Sequence, residues 1–253
     1  MKKYALLIGL ISSFGFAQTF TKQDTLKGSD TNFRNFWDVK KYEITVEPNF
    51  ENKSIKGTSR IEFTITKDIL NPTFQIDLQQ PMKAENVTCS FQTIDGFKRD
   101  GDFIFIYSKN NFKKGKKYYI DIAYSGNPVI AKHAPWDGGW VFTKDKEGNP
   151  WISVAQEGNG ASLWIPSKDI WSDEPENGVV MKIITPKELT GVGNGKLISK
   201  TTENNKNTFT WEVKNPINLY SIVPTIGKFE HFSEVYNGEK GKLDCDYYVL
   251  SYN

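Results

Sequence analysis

Glu157 stands in the run Trp151-Ile-Ser-Val-Ala-Gln-Glu-Gly-Asn-Gly-Ala-Ser-Leu-Trp-Ile-Pro-Ser-Lys-Asp-Ile-Trp-Ser-Asp-Glu-Pro175, bracketed by Gln156 and Gly158 with Gly160 just beyond. Glycines accept backbone conformations that side chains resist and let another chain approach closely. A carboxylate on such a loop, walled by Trp151 and Trp164, could receive a cationic group such as a free α-amine. Losing one partner of a partly desolvated ion pair costs about 2–5 kcal/mol, which sets the scale of such a grip. The plainer alternative is a turn acid that is merely solvated.

Other chemistries find little support. The two histidines, His133 and His231, are far apart, and neither belongs to a His-Glu-x-x-His pattern that would hold zinc on a helix. No ladder of Asp and Asn suggests a calcium loop. Gly160-Ala-Ser162 lacks the Gly-x-Ser-x-Gly frame of a serine nucleophile. No glycine-rich phosphate loop opens a helix, and no Walker-type lysine is present. No metal or catalytic ligand set is therefore expected in this chain.

Composition sets the compartment and the partners. Lys2 and Lys3 precede a mostly apolar run, Tyr4 to Phe16, with small residues at Gly15 and Ala17. The run is too short to span a bilayer, so residues 1–17 read as a secretory signal peptide and residues 18–253 as the exported domain. Loss of two lysines takes the formal charge from +2 to zero. A neutral chain lacks the field that recruits nucleic acid, and no membrane association is expected after cleavage. Cys89 and Cys245 both fall in strand-like patterns, which favours buried free thiols over the disulfide that export would permit. The basic turn Lys113-Lys-Gly-Lys-Lys117 reads as a solvated hairpin tip.

The elements that must hold Glu157 are strands. Ser59-Arg-Ile-Glu-Phe-Thr-Ile65 alternates, putting Ile61, Phe63 and Ile65 on one face. With Tyr42–Val46 it suggests a hairpin over 39–66 with a long turn from Pro48 to Gly57. Phe74–Leu78, the continuously apolar Phe103–Tyr107, and Lys116–Tyr124 follow. Trp140–Thr143 and Trp151–Ala155 flank a hairpin turn, and Val179–Ile184, Thr208–Val213, Ser221–Val223, Lys228–Val235 and Leu243–Leu250 complete the set. No helical periodicity is sustained. The fold class is all-β: a saddle-like, mostly antiparallel sheet or sandwich with little helix.

The order of these features resembles the N-terminal domain of aminopeptidase N-like zinc metallopeptidases. Asn35-Phe-Trp-Asp-Val-Lys-Lys-Tyr-Glu-Ile-Thr-Val46 looks like the opening strand of that family, and Ile55-Lys-Gly-Thr-Ser-Arg-Ile-Glu-Phe63 like its second. Gln156 to Asp169 with Ser172-Asp-Glu-Pro175 is similar to the substrate-anchor segment and its Asp-Glu-Pro signature. Trp211, Asn215–Tyr220 and Ile226–Phe229 resemble the closing strands.

The resemblance implies a β saddle lying over a thermolysin-like catalytic domain, with a loop acid or amide binding the free amino terminus of a peptide. Spacing from Pro166 assigns that role to Glu157, with Gln156 as its companion; the second family position falls on Ala155. Asp169 and Asp173 both remain candidates for the aspartate of the signature. Zinc would be bound by a C-terminal catalytic domain, since the Gly-x-Met-Glu-Asn and His-Glu-x-x-His motifs are missing here. The final strand runs straight to Asn253, which reads as a truncated chain, inactive alone. The rival class is a secreted sugar-binding sandwich that stacks ligands on Trp136, Trp140 and Trp164.

Overall fold

The computed structural model describes residues 19–91 and 93–253; the expected leader, 1–17, lies outside the described residues. A short helix, α1 (Lys22–Gly28), comes first, and no sequence periodicity announces it. Thr21 caps it: its hydroxyl accepts from the Asp24 amide at 3.2 Å, while the Asp24 carboxylate accepts from the Thr21 amide at 2.8 Å. This reciprocal pair satisfies donors that a helix start leaves open. Leu26 then packs with Phe103 and Phe105.

Strands β1 (Trp37–Asn49) and β2 (Ser54–Ile65) form the expected hairpin, but its turn is confined to 50–53, shorter than the turn residues suggested. Ile61, Phe63 and Ile65 are all buried, as their alternation requires. Then come β3 (Ile69–Leu70), β4 (Thr73–Asp77), β5 (Lys83–Cys89), β6 (Ile94–Asp100), β7 (Phe103–Ser108), β8 (Asn111–Phe112) and β9 (Lys117–Gly126). The hairpin β10 (Gly139–Lys144) and β11 (Pro150–Ala155) leads into the Glu157 loop. Beyond that loop lie β12 (Val179–Pro186), β13 (Thr190–Val192), β14 (Lys196–Glu203), β15 (Lys206–Val213) and β16 (Thr225–Gly227). A ribbon of β17 (Phe229–Gly238) and β18 (Gly241–Leu250) ends the chain.

The largest sheet has seven strands in the order β14-β15-β12-β1-β2-β9-β5. Every pairing in it is antiparallel except β1 with β12, which run parallel with Ile44 opposite Met181. A four-stranded sheet, β10-β11-β16-β13, a three-stranded one, β4-β7-β6, and the ribbons β3-β8 and β17-β18 make up the rest. The architecture is all-β, and one core cluster joins the inner face of the large sheet to β4, β7, β10, β11 and the loop after β11.

Two expectations are corrected. Ser221–Val223 is not a strand: Leu219–Ser221 forms a 3-10 turn between Pro216 and Pro224, whose missing amide donors disfavour ladder pairing on either side. Cys89 and Cys245 are unpaired, yet only partly buried, because β5 is an edge strand and β18 lies in a two-stranded ribbon.

Candidate functional site

The Glu157 loop begins where β11 stops. The Gln156 carbonyl accepts from the amides of Asn159 at 3.1 Å and Gly160 at 2.8 Å, folding the chain back on itself. Gly160 has φ 87°, and a Cβ there would collide with the Asp169 carboxylate, so the turn needs glycine. A 3-10 turn, Ala161–Leu163, then carries the chain inward.

Gln156 is expected to contribute to ligand binding, and its geometry corrects that picture. Its side chain is buried. The amide nitrogen donates to the carbonyls of Leu219 (3.2 Å), Tyr220 (3.1 Å) and Ile222 (2.8 Å), and the amide oxygen accepts from the Trp164 indole at 2.6 Å. Burial of a primary amide is tolerable only when its polar atoms are bonded, and here both ends are used. Gln156 is thus a post that ties the loop to the 219–222 turn.

Further bonds hold the loop from the other side. Gln79 donates to the Asn159 carbonyl at 2.7 Å and to the Ser162 hydroxyl at 3.0 Å, and Lys27 of α1 donates to the same Asn159 carbonyl at 3.4 Å. Ser162 is therefore bonded to an amide rather than to a histidine. Asp169 accepts from the Ser162 amide at 3.0 Å. Glu157 and Gly158 alone in this loop remain exposed, and among the described residues Glu157 has no ion-pair partner.

Glu157 lines a cleft of about 500 Å³ with Lys27, Asp169 and Trp171. Trp171 is 73% exposed and leans on Tyr220, with ring centroids 6.1 Å apart. The expected tryptophan walls are corrected accordingly: Trp164 is fully buried beneath the loop, and Trp151 does not line the cleft. Trp171 does what they were expected to do. Nothing in its own sequence context marks it out, because its approach depends on the return of the chain after Pro166.

The two candidate aspartates part company. Asp169 faces the cleft. Asp173 is buried, paired with Lys168 and accepting from the Val39 amide at 3.1 Å. Burial pushes its carboxyl upward from the ordinary range, and Lys168 opposes that shift. Lys168 also donates to the Trp37 carbonyl at 2.7 Å, so this pair clamps the segment onto β1. Beneath Asp169 lies a second buried pair, Arg34 with Asp77. The Asp77 carboxylate accepts from the Asp169 amide at 3.2 Å and from Gln75 at 3.1 Å. Burial raises the Asp77 carboxyl to about 7 against the pull of Arg34. Arg34 and Asp77 lie dozens of residues apart, so their pairing is not visible in local sequence; Lys168 and Asp173 are near neighbours in the chain, but their burial against β1 is a long-range event.

No group of three or more His, Cys, Asp or Glu side chains is placed to hold a metal ion among the described residues. His133 is exposed beside Asp137, and His231 bonds Asp246 at 2.7 Å in the terminal ribbon. The described residues therefore offer no ligand set for zinc. No described helix is long and apolar enough to cross a membrane.

The fold agrees with comparisons to known proteins. No curated protein matches the chain. An M1 zinc metallopeptidase from Deinococcus radiodurans, solved as a mutant with a Tyr-Ser-Ala substrate, is similar with a TM-score of 0.71 at 14% identity. The same enzyme without that ligand gives 0.70 at 15% identity. Each match covers 87% of this chain but only 49% of the other, so this chain spans about half their length. Residues 39–220 match the peptidase M1 N-terminal domain, and the chain belongs to that family.

Proposed function

We propose that residues 18–253 form the substrate-anchoring domain of an exported zinc aminopeptidase, with Glu157 receiving the α-ammonium of a peptide. One observation carries this reading. Glu157 is an exposed carboxylate with no ion-pair partner among the described residues, on a loop that Gln156, Gln79 and Trp164 hold still. A charge presented on a preorganised loop spends little binding energy on ordering itself.

Exopeptidase selectivity follows from the pairing. Only a free amino terminus supplies the cation, and a group with a pKa near 8 is mostly charged at neutral pH. Asp169 adds negative potential to the same cleft, and the Trp171 ring offers a face that attracts cations. Zinc, held by a second domain, would polarise the scissile carbonyl and activate water. Gln156 acts here as the post that aims Glu157 and does not itself touch substrate. Export rests on the leader-like residues 1–17; amino-terminal sequencing of the mature protein should begin near Gln18.

The test is Glu157→Ala in the polypeptide that carries both domains. KM for aminoacyl substrates should rise and kcat/KM fall at least about tenfold, the equivalent of about 1.4 kcal/mol. Substrates with an acetylated amine should be turned over poorly and equally by both forms. A change within about twofold for the free-amine substrate would defeat the assignment. The sugar-stacking reading gains no support, because Trp140 and Trp164 are buried and leave Trp136, 89% exposed, as a lone ring.

A further inference from the structure

A second cavity, of about 620 Å³, opens where the ends of β1, β9 and β12 and the start of β2 face the start of β11. Its floor is Ile55, Ile152, Leu189 and Ile226, all buried, with Phe50 of the β1–β2 turn beside them. Pro150 and Ile152 line it, whereas the Glu157 loop leaves the opposite end of β11. Roughly 17 Å of strand therefore separates this cavity from the anchor loop. Small-molecule sites have this size and set a few polar groups against an apolar wall.

The polar groups around the floor are unevenly committed. Glu47 accepts from Lys206 at 2.5 Å and is paired with Lys56 at 3.3 Å, so both lysines of the lining are engaged. The hydroxyl of Ser125 donates to Glu85, and that of Thr185 to the Leu189 carbonyl at 3.1 Å. The Asn127 amide donates to the Asn52 carbonyl at 2.7 Å. Pro48, Pro150 and Pro186 carry no amide donor at all. The charged groups left over at the rim are Glu51 and Glu188, both exposed and without an ion-pair partner among the described residues.

We infer that this cavity binds a small organic cation, its aliphatic or aromatic body on the isoleucine floor and its ammonium at Glu51 and Glu188. A rim whose donors are mostly spent and whose free charges are acids leaves a carboxylate or phosphate head unpaired, so such ligands are rejected. The apolar floor gives nothing to a bare, hydrated cation, so the body is as necessary as the charge. The site is separate from the anchoring role of Glu157 and stands without it.

Phenylbutylamine is the probe, with phenylbutyrate and phenylbutanol as its anionic and neutral counterparts. Titrated into isotopically labelled protein, the amine should shift the methyl resonances of Ile152, Leu189 and Ile226 saturably. Phenylbutyrate should bind at least about fivefold more weakly. Glu51→Gln with Glu188→Gln, both at exposed positions that the fold tolerates, should weaken the amine at least about threefold and leave the alcohol unchanged. Glu157→Ala should alter none of these affinities. Absence of saturable shifts at the three residues overturns the inference, as does equal binding of amine and butyrate. So does an amine affinity that the double variant leaves intact or that Glu157→Ala lowers instead, since the ammonium would then sit elsewhere. A Glu157→Ala enzyme with unaltered hydrolysis refutes the anchor alone and leaves this cavity standing.

Discussion

At the level of single residues, one exposed acid and several buried ones divide the work. In the proposed role Glu157 is available to a cation because no described residue is ion-paired with it, whereas Asp77 and Asp173 are paired with Arg34 and Lys168. In the proposed anchoring role charge is what Glu157 supplies, so Glu157→Gln should lose nearly as much kcat/KM as Glu157→Ala despite keeping the shape; retention within twofold would point to shape instead. Asp77 makes a separate prediction about stability. Its carboxyl titrates near 3.8 when unfolded and about 7 in the native state. The native state therefore holds the extra proton between about pH 4 and 7, so this group's contribution to stability falls as pH rises through that window and is level above it. The slope is at most about 1.4 kcal/mol per pH unit. Urea unfolding of wild type and Asp77→Asn across pH 4–8 should show their difference declining to pH 7 and then flattening; a flat difference throughout would refute the buried-acid account.

At the level of elements, the loop after β11 depends on parts that are remote in sequence. The hairpin β10–β11 delivers it, the 219–222 turn receives Gln156, and α1 touches it through Lys27. Gly160→Ala must bring a side chain to φ 87° and against Asp169, at a cost of about 1–3 kcal/mol. Gln156→Ala leaves buried carbonyls and the Trp164 indole without partners, at about 1–3 kcal/mol per group. Chemical denaturation should show both losses. In the two-domain polypeptide each variant should also raise KM while leaving Asp77-dependent stability behaviour intact. A Gln156→Ala protein with unchanged stability would mean that the post bears no strain.

At the level of the whole molecule, a seven-stranded sheet carries smaller sheets on one face and a ribbon at one end. The thiols on it are separate: Cys89 is on the edge strand β5 and Cys245 on the ribbon. Reducing agent should therefore leave Tm unchanged; a drop on adding dithiothreitol would reveal a bridge that this fold does not make. Membership of the M1 N-terminal family places the domain within peptidase architecture, and about half the length of the matched structures lies beyond what this chain spans.

Cleanly alternating strands were legible residue by residue, because alternation such as Ile61, Phe63 and Ile65 is local and a one-residue slip would expose the whole set; the largely exposed strands β5, β6 and β14 carry no such pattern and were not. The acidic, glycine-flanked loop was legible for the same reason: Glu157, Gly158 and Gly160 sit within four positions. Other features depended on distance in the chain. That Gln156 turns inward, that Trp171 replaces Trp151 and Trp164 beside the cleft, and that Asp169 and Asp173 take different places were settled only when β1, β4 and the 219–222 turn closed around the loop. Helix α1 escaped notice because seven residues carry too little periodicity to register, and its stability comes from a cap and from Leu26 packing on β7. Local pattern decides which residues form strands; which polar side chains are buried, and against whom, is decided by contacts between segments far apart in sequence.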